Sequence, residues 1–129
     1  MMIPFLLYCA SLSLLTDTVE HPIDRQLERC LSAAHATMPR AECYTTAYKA
    51  WENDIAVSEK KLLKKEKQKG AVAAAQKIWE KERDSRFKEI AGKYNTMRGT
   101  LYIPLRIKLR MEVLRARALD LERQLKKYS

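Results

Sequence analysis

Apolar residues recur at three- and four-residue intervals from residue 24 almost to the C-terminus, the period of an α-helix with one buried side. The segment DRQLERCLSAA, residues 24–34, places Leu27, Cys30 and Leu31 together and predicts a short helix that ends before Pro39. Thr37 offers an N-cap hydroxyl and Pro39 suits a first turn, so a second helix is expected over residues 40–68. Its stripe is Tyr44, Tyr48, Trp51, Ile55, Ser58 and Leu62, and Gly70 is the expected stop. A third helix is expected over 71–91, with Val72, Ala75, Trp79 and Ile90 in one arc, Phe87 at its edge and Arg83 inside it. GKYNTMRG, residues 92–99, breaks the period and reads as a loop. Pro104 opens a fourth helix reaching residue 127, whose stripe is Ile107, Met111, Leu114, Ala118, Leu121 and Leu125. Leu101, Leu105 and Leu109 fall roughly opposite, so the first half of this helix is expected to lie between neighbours or to present a face to a partner. The fold class that follows is all-α: a small antiparallel bundle of three long helices with a short N-terminal helix.

The N-terminus stands apart from this pattern. MMIPFLLYCASLSLL, residues 1–15, carries no charge and has an apolar run too short for a comfortable membrane span. It reads as a secretion signal over residues 1–18, which leaves one domain over 19–129. A lipidated Cys9 is disfavoured by Tyr8 in the preceding position, and a retained N-terminal helix is the alternative. With the signal removed, Cys30 and Cys43 remain, an even count that suits a disulfide in an oxidising compartment. Such a bridge closes a loop of about thirteen residues and stabilises by roughly 3 kcal/mol. A metal group of Cys30, His35, Cys43 and His21 is the competing reading, although its spacing fits no common zinc motif.

Composition adds a sign. In 129 residues, 25 are Lys or Arg and 16 Asp or Glu, a net charge of +9 that favours anionic partners such as lipid head groups, polysaccharide or an acidic protein face. Nucleic acid enters only if the N-terminus is not an export signal. Lys60, Lys61, Lys64, Lys65, Lys67 and Lys69 cluster where the second helix ends, which makes either a solvated helix end or a patch for an anionic surface. Arg106, Arg110 and Arg117 line one side of the fourth helix, and Arg83 with Asp84 sits where an arginine in a core stripe needs an ion pair or an aromatic stack. These five residues are the candidate partner contacts. Neither His21 nor His35 belongs to a recognisable catalytic set, and no phosphate loop or nucleophile elbow is present. No catalytic set, metal site or cofactor is therefore assigned.

The runs AECYTTAYKAWENDI, residues 41–55, and AVAAAQKIWEKERD, residues 71–84, resemble the two helical signatures of the lysozyme-inhibitor LprI N-terminal family. The resemblance extends over about residues 25–125 and is most specific at Ala74, Ala75, Gln76, Trp79, Arg83 and Asp84. Cys30 and Cys43 match the family's first cysteine pair, which implies that the short helix is tied by a disulfide. The second pair is absent: Phe87 and Leu109 stand in its place, so packing between the third and fourth helices would have to replace a covalent link. The resemblance implies an envelope or extracytoplasmic location, no cofactor and, for the family's named member, inhibition of lysozyme. The leading expectation for this chain is a secreted or periplasmic protein that occludes a lysozyme-type cell-wall hydrolase through a face near the third and fourth helices. Charge bears on that expectation, because a basic inhibitor and a basic lysozyme repel at long range unless an acidic face is segregated. Glu42, Glu52, Asp54, Glu80, Glu82 and Asp84 are interspersed with cations instead. An envelope scaffold that holds an anionic surface through its Lys- and Arg-rich helices is the rival expectation.

Overall fold

The computed structural model describes residues 20–65, 67 and 69–128. The expected signal over 1–18 and Cys9 lie outside the described residues. Among these, the chain forms four helices: α1 (Pro22–Ala33), α2 (Thr37–Lys65), α3 (Lys69–Tyr94) and α4 (Tyr102–Lys126). Successive helices are antiparallel, so α2 and α4 run in the same direction and share the core. None is long and apolar enough to cross a membrane.

The fully buried apolar cluster comes from two helices only. Tyr44, Ala47, Trp51, Ile55 and Leu62 of α2 meet Met111, Leu114, Ala118 and Leu121 of α4, with Ser58 also buried. These are the two stripes with the most regular four-three spacing in the sequence, and each large side chain removed from water contributes about 1.5–3 kcal/mol. Trp51 has no exposed surface and lies at the centre. Ile23, Leu27 and Leu31 of α1 and Val72, Trp79 and Phe87 of α3 cover the flanks and are only partly buried.

α1 starts two residues earlier than the apolar period predicts, because its cap is a histidine. The Ile23 N–H donates to His21 Nδ1 at 3.1 Å and Pro22 occupies the first turn, where a missing N–H costs nothing. At the other end, Arg40 Nη1 donates to the carbonyls of Leu31 and Ala34, which satisfies groups a helix terminus leaves open. Cys30 and Cys43 are bonded, with their Cα atoms 5.7 Å apart, so both thiols are used and the four-residue metal reading is overturned. Asp24, in the first turn of α1, accepts three hydrogen bonds from Arg115 of α4, the shortest 2.7 Å.

Several expected boundaries move. α2 begins at Thr37 and ends at Lys65 rather than spanning 40–68, and Gly70 is not its stop but part of the first turn of α3. Lysines four apart repel along one face, which weakens the last turns before any glycine is needed. α3 runs through Gly92 to Tyr94, and the loop is Asn95–Leu101 rather than 92–99. The Tyr94 and Tyr102 rings, 6.3 Å apart, hold the last turn of α3 against the first of α4. Gly99 carries the reversal with φ +108°, a conformation an L side chain resists.

Candidate functional site

α3 is the least embedded of the long helices, and the reason is in its stripe. Its one buried residue is Gln76, while Ala75, expected to face the core, is exposed. Small side chains at 73, 74 and 75 offer little area to bury, so the helix rests on α4 through a polar contact: Arg117 donates to Gln76 Oε1 from Nη2 at 2.9 Å and from Nε at 3.3 Å. Arg117 also lies 3.5 Å from Asp120. Trp79, expected in the core, is half buried between two guanidinium groups, with Arg83 at 5.3 Å and Arg117 at 5.7 Å from its ring centre. Arg83 is paired with Asp84 at 3.0 Å. The ion pair and the stack expected of Arg83 are thus both present, and each cation over the indole contributes about 0.5–2 kcal/mol.

Beside this stack α3 and α4 part to form an open groove of about 390 Å³, lined by Ala75, Ile78, Trp79, Arg83, Val113 and Arg117 among others. A second hollow shares Arg86 and Val113 with it and continues toward Ile90 and Leu109. Phe87 packs against the core, with its ring tilted on that of Tyr48 of α2 at 6.4 Å between centres.

The fold brings together Arg83, Asp84 and Arg117, sets Arg110 on the far side of a shared neighbour, Tyr48, and leaves Arg106 apart. Arg106 lies about 16 Å further along α4, at 1.5 Å per residue, and donates to Asn95 Oδ1 at 3.1 Å. Arg110 faces Tyr48, whose hydroxyl is held above the ordinary phenol value by burial and by Glu52, against the opposing pull of Arg83 and Arg110. Lys60, Lys61, Lys64, Lys65, Lys67 and Lys69 are all exposed at the pole where α2 gives way to α3.

A second cluster was not legible in the sequence at all. His21, Asp54 and Glu122, from the start of α1, the middle of α2 and the end of α4, bring ligand-type atoms within 4.8 Å of one another. His21 Nδ1 accepts the Ile23 N–H, so the proton of the neutral ring is on Nε2, which lies 3.0 Å from Glu122 Oε1. A metal ion at Nε2 would need that proton removed while Nδ1 stays engaged, so the arrangement suits proton sharing better than metal binding. Asp54 Oδ2 is buried with no donor. Burial, then repulsion from Glu122 and a hydrogen bond shared with it, hold the Asp54 carboxyl above its ordinary value, against His21 and Lys61. The His21 ring packs on Trp51 at 4.5 Å, so the cluster is wedged against the core. Nothing in spacing points to it, since His21 and Glu122 are 101 residues apart.

Comparison with known proteins returns one family. No curated protein and no solved structure matches the chain significantly. The model of the lysozyme inhibitor LprI family matches residues 29–121, from the end of α1 through most of α4, including the Cys30–Cys43 bridge and the Gln76, Trp79 and Arg83 face. An all-helical chain tied by that bridge, matched over most of its length, belongs to the lysozyme inhibitor LprI family.

Proposed function

We propose that this protein is exported, loses its N-terminal segment near residue 18, and binds a lysozyme-type cell-wall hydrolase, blocking it by occlusion and without chemistry of its own. The family match over residues 29–121 carries the reading. The disulfide supports an oxidising compartment outside the cytoplasm. The side of the molecule formed by α3 and α4 supplies the contact surface, with Arg83, Asp84, Arg106, Arg110 and Arg117 as the residues that meet the enzyme. Arginine suits this task because its planar fork matches carboxylates bidentately.

The test is inhibition of a panel of basic and acidic muramidases by the purified mature protein. Inhibition at micromolar concentration is the expected result, and its absence across the panel overturns the reading. A second reading rests on a separate observation, the six exposed lysines at the pole between α2 and α3: an envelope scaffold that holds an anionic surface. Its signature is binding to anionic vesicles that weakens steeply with salt, without inhibition of any muramidase.

A further inference from the structure

The carboxylates of the chain stop at Glu89 and resume at Glu112; between them stand Lys93, Arg98, Arg106, Lys108 and Arg110 and no acid. The fold gathers the first three at the pole where α3 turns into α4, at the opposite end of the bundle from the lysine cluster. Among the described residues neither Arg98 nor Arg106 meets a carboxylate; Arg106 is held by the neutral Asn95 side chain.

The loop crossing this pole, residues 95–101, is braced. Tyr94 and Tyr102 close its base, Arg106 ties its first residue, and Gly99 sets the turn. On this braced turn Leu101 is 77% exposed and Met97 39% exposed, with Arg98 exposed between them. Leu101 is the most exposed large apolar side chain among the described residues, and nothing inside the domain covers it. The feature is therefore convex, apolar at its tip and cationic around it.

Resting on the hydrolase reading above, we infer that the loop Asn95–Leu101 is the element that enters the substrate cleft of the target enzyme. Leu101 and Met97 fill the cleft, and Arg98 and Arg106 face its carboxylates. Glycoside hydrolysis runs on a pair of carboxyl groups set about 5–10 Å apart in a concave site. A convex, acid-free, arginine-bearing turn is complementary to such a site in both shape and sign. An anionic membrane is less well matched, because stable interfacial anchoring takes an amphipathic helix or added lipid, and this turn offers only two large apolar side chains. The inference also resolves the charge conflict. Repulsion between two basic proteins is a long-range effect screened within about 8 Å at physiological salt, whereas the cleft carboxylates act on the inserted loop at contact.

The experiment titrates wild-type protein, Leu101→Asp, Arg98→Glu and the double variant Lys64→Glu, Lys65→Glu against the muramidases that the wild type inhibits, with a soluble oligosaccharide substrate. The expected result is inhibition competitive with substrate, a rise of about tenfold or more in inhibition constant for each loop variant, and less than about twofold for the lysine variant. Leu101 and Arg98 are exposed, so an unchanged melting temperature for the loop variants accompanies this result. Wild-type inhibition that the loop variants retain, or inhibition not competitive with substrate, overturns the loop assignment and leaves the hydrolase reading standing. No wild-type inhibition overturns both. The same four proteins are added to vesicles of phosphatidylglycerol; loop-dependent vesicle binding without loop-dependent inhibition reassigns the loop to a membrane and overturns the inference.

Discussion

At the meeting point of α1, α2 and α4, Asp54 and its neighbour Glu122 make stability depend on pH in the acid range. Burial, Glu122 and a shared hydrogen bond raise its carboxyl above the ordinary value of 3.8, with His21 and Lys61 opposing. A folded value above the unfolded one means that the associated stability is complete below the unfolded value and is lost as pH rises through the folded one. At neutral pH the wild type therefore bears a penalty that an uncharged amide of the same shape removes. Asp54→Asn is expected to match the wild type in melting temperature near about pH 3 and to exceed it near about pH 7, by about 1 kcal/mol or less because the site is partly solvated. Thermal melts across that range check it, and a wild type that gains on the variant as pH rises contradicts the arrangement. Sequence periodicity read Trp51 and Leu114 as buried correctly, because burial on a helix repeats locally. It could not see Asp54 beside Glu122, because three helices meet to place them.

Among the elements, α2 and α4 were legible and α3 less so, for one physical reason. Stripes of large residues at four-three spacing leave few ways to bury them. The alanines of α3 leave the choice to a polar contact, Gln76 with Arg117, that no apolar period announces. Hydrogen-exchange measurements are expected to show α3 amides opening faster than those of α2 and α4, since α3 buries one residue where α2 buries eight. Equal protection across the three helices would count against the loosely held α3 described above. The ends of α2 and α3 moved because glycine position was a weaker constraint than side-chain repulsion at one end and a tyrosine pair at the other. α1 depends on its staple. It has no fully buried residue, so reducing the Cys30–Cys43 bridge is expected to cost about 3 kcal/mol, read as a fall in melting temperature with reductant.

On the scale of the whole molecule, the net charge of +9 does not form one uniform field. The exposed lysines gather at one pole and the arginine turn, a stretch without acids between Glu89 and Glu112, stands at the other. The all-helical class, the two core stripes, the paired cysteines and the family signature are legible before folding is considered, because each is written in local spacing or in a contiguous run of residues. Only the folded arrangement shows that Arg117 of α4 joins Arg83 on Trp79 and holds Gln76, that His21, Asp54 and Glu122 share one site, and that Leu101 is left bare on a braced turn. Those outcomes depend on which helix faces meet, and that is set by the joint burial of side chains far apart in the chain rather than by any single segment.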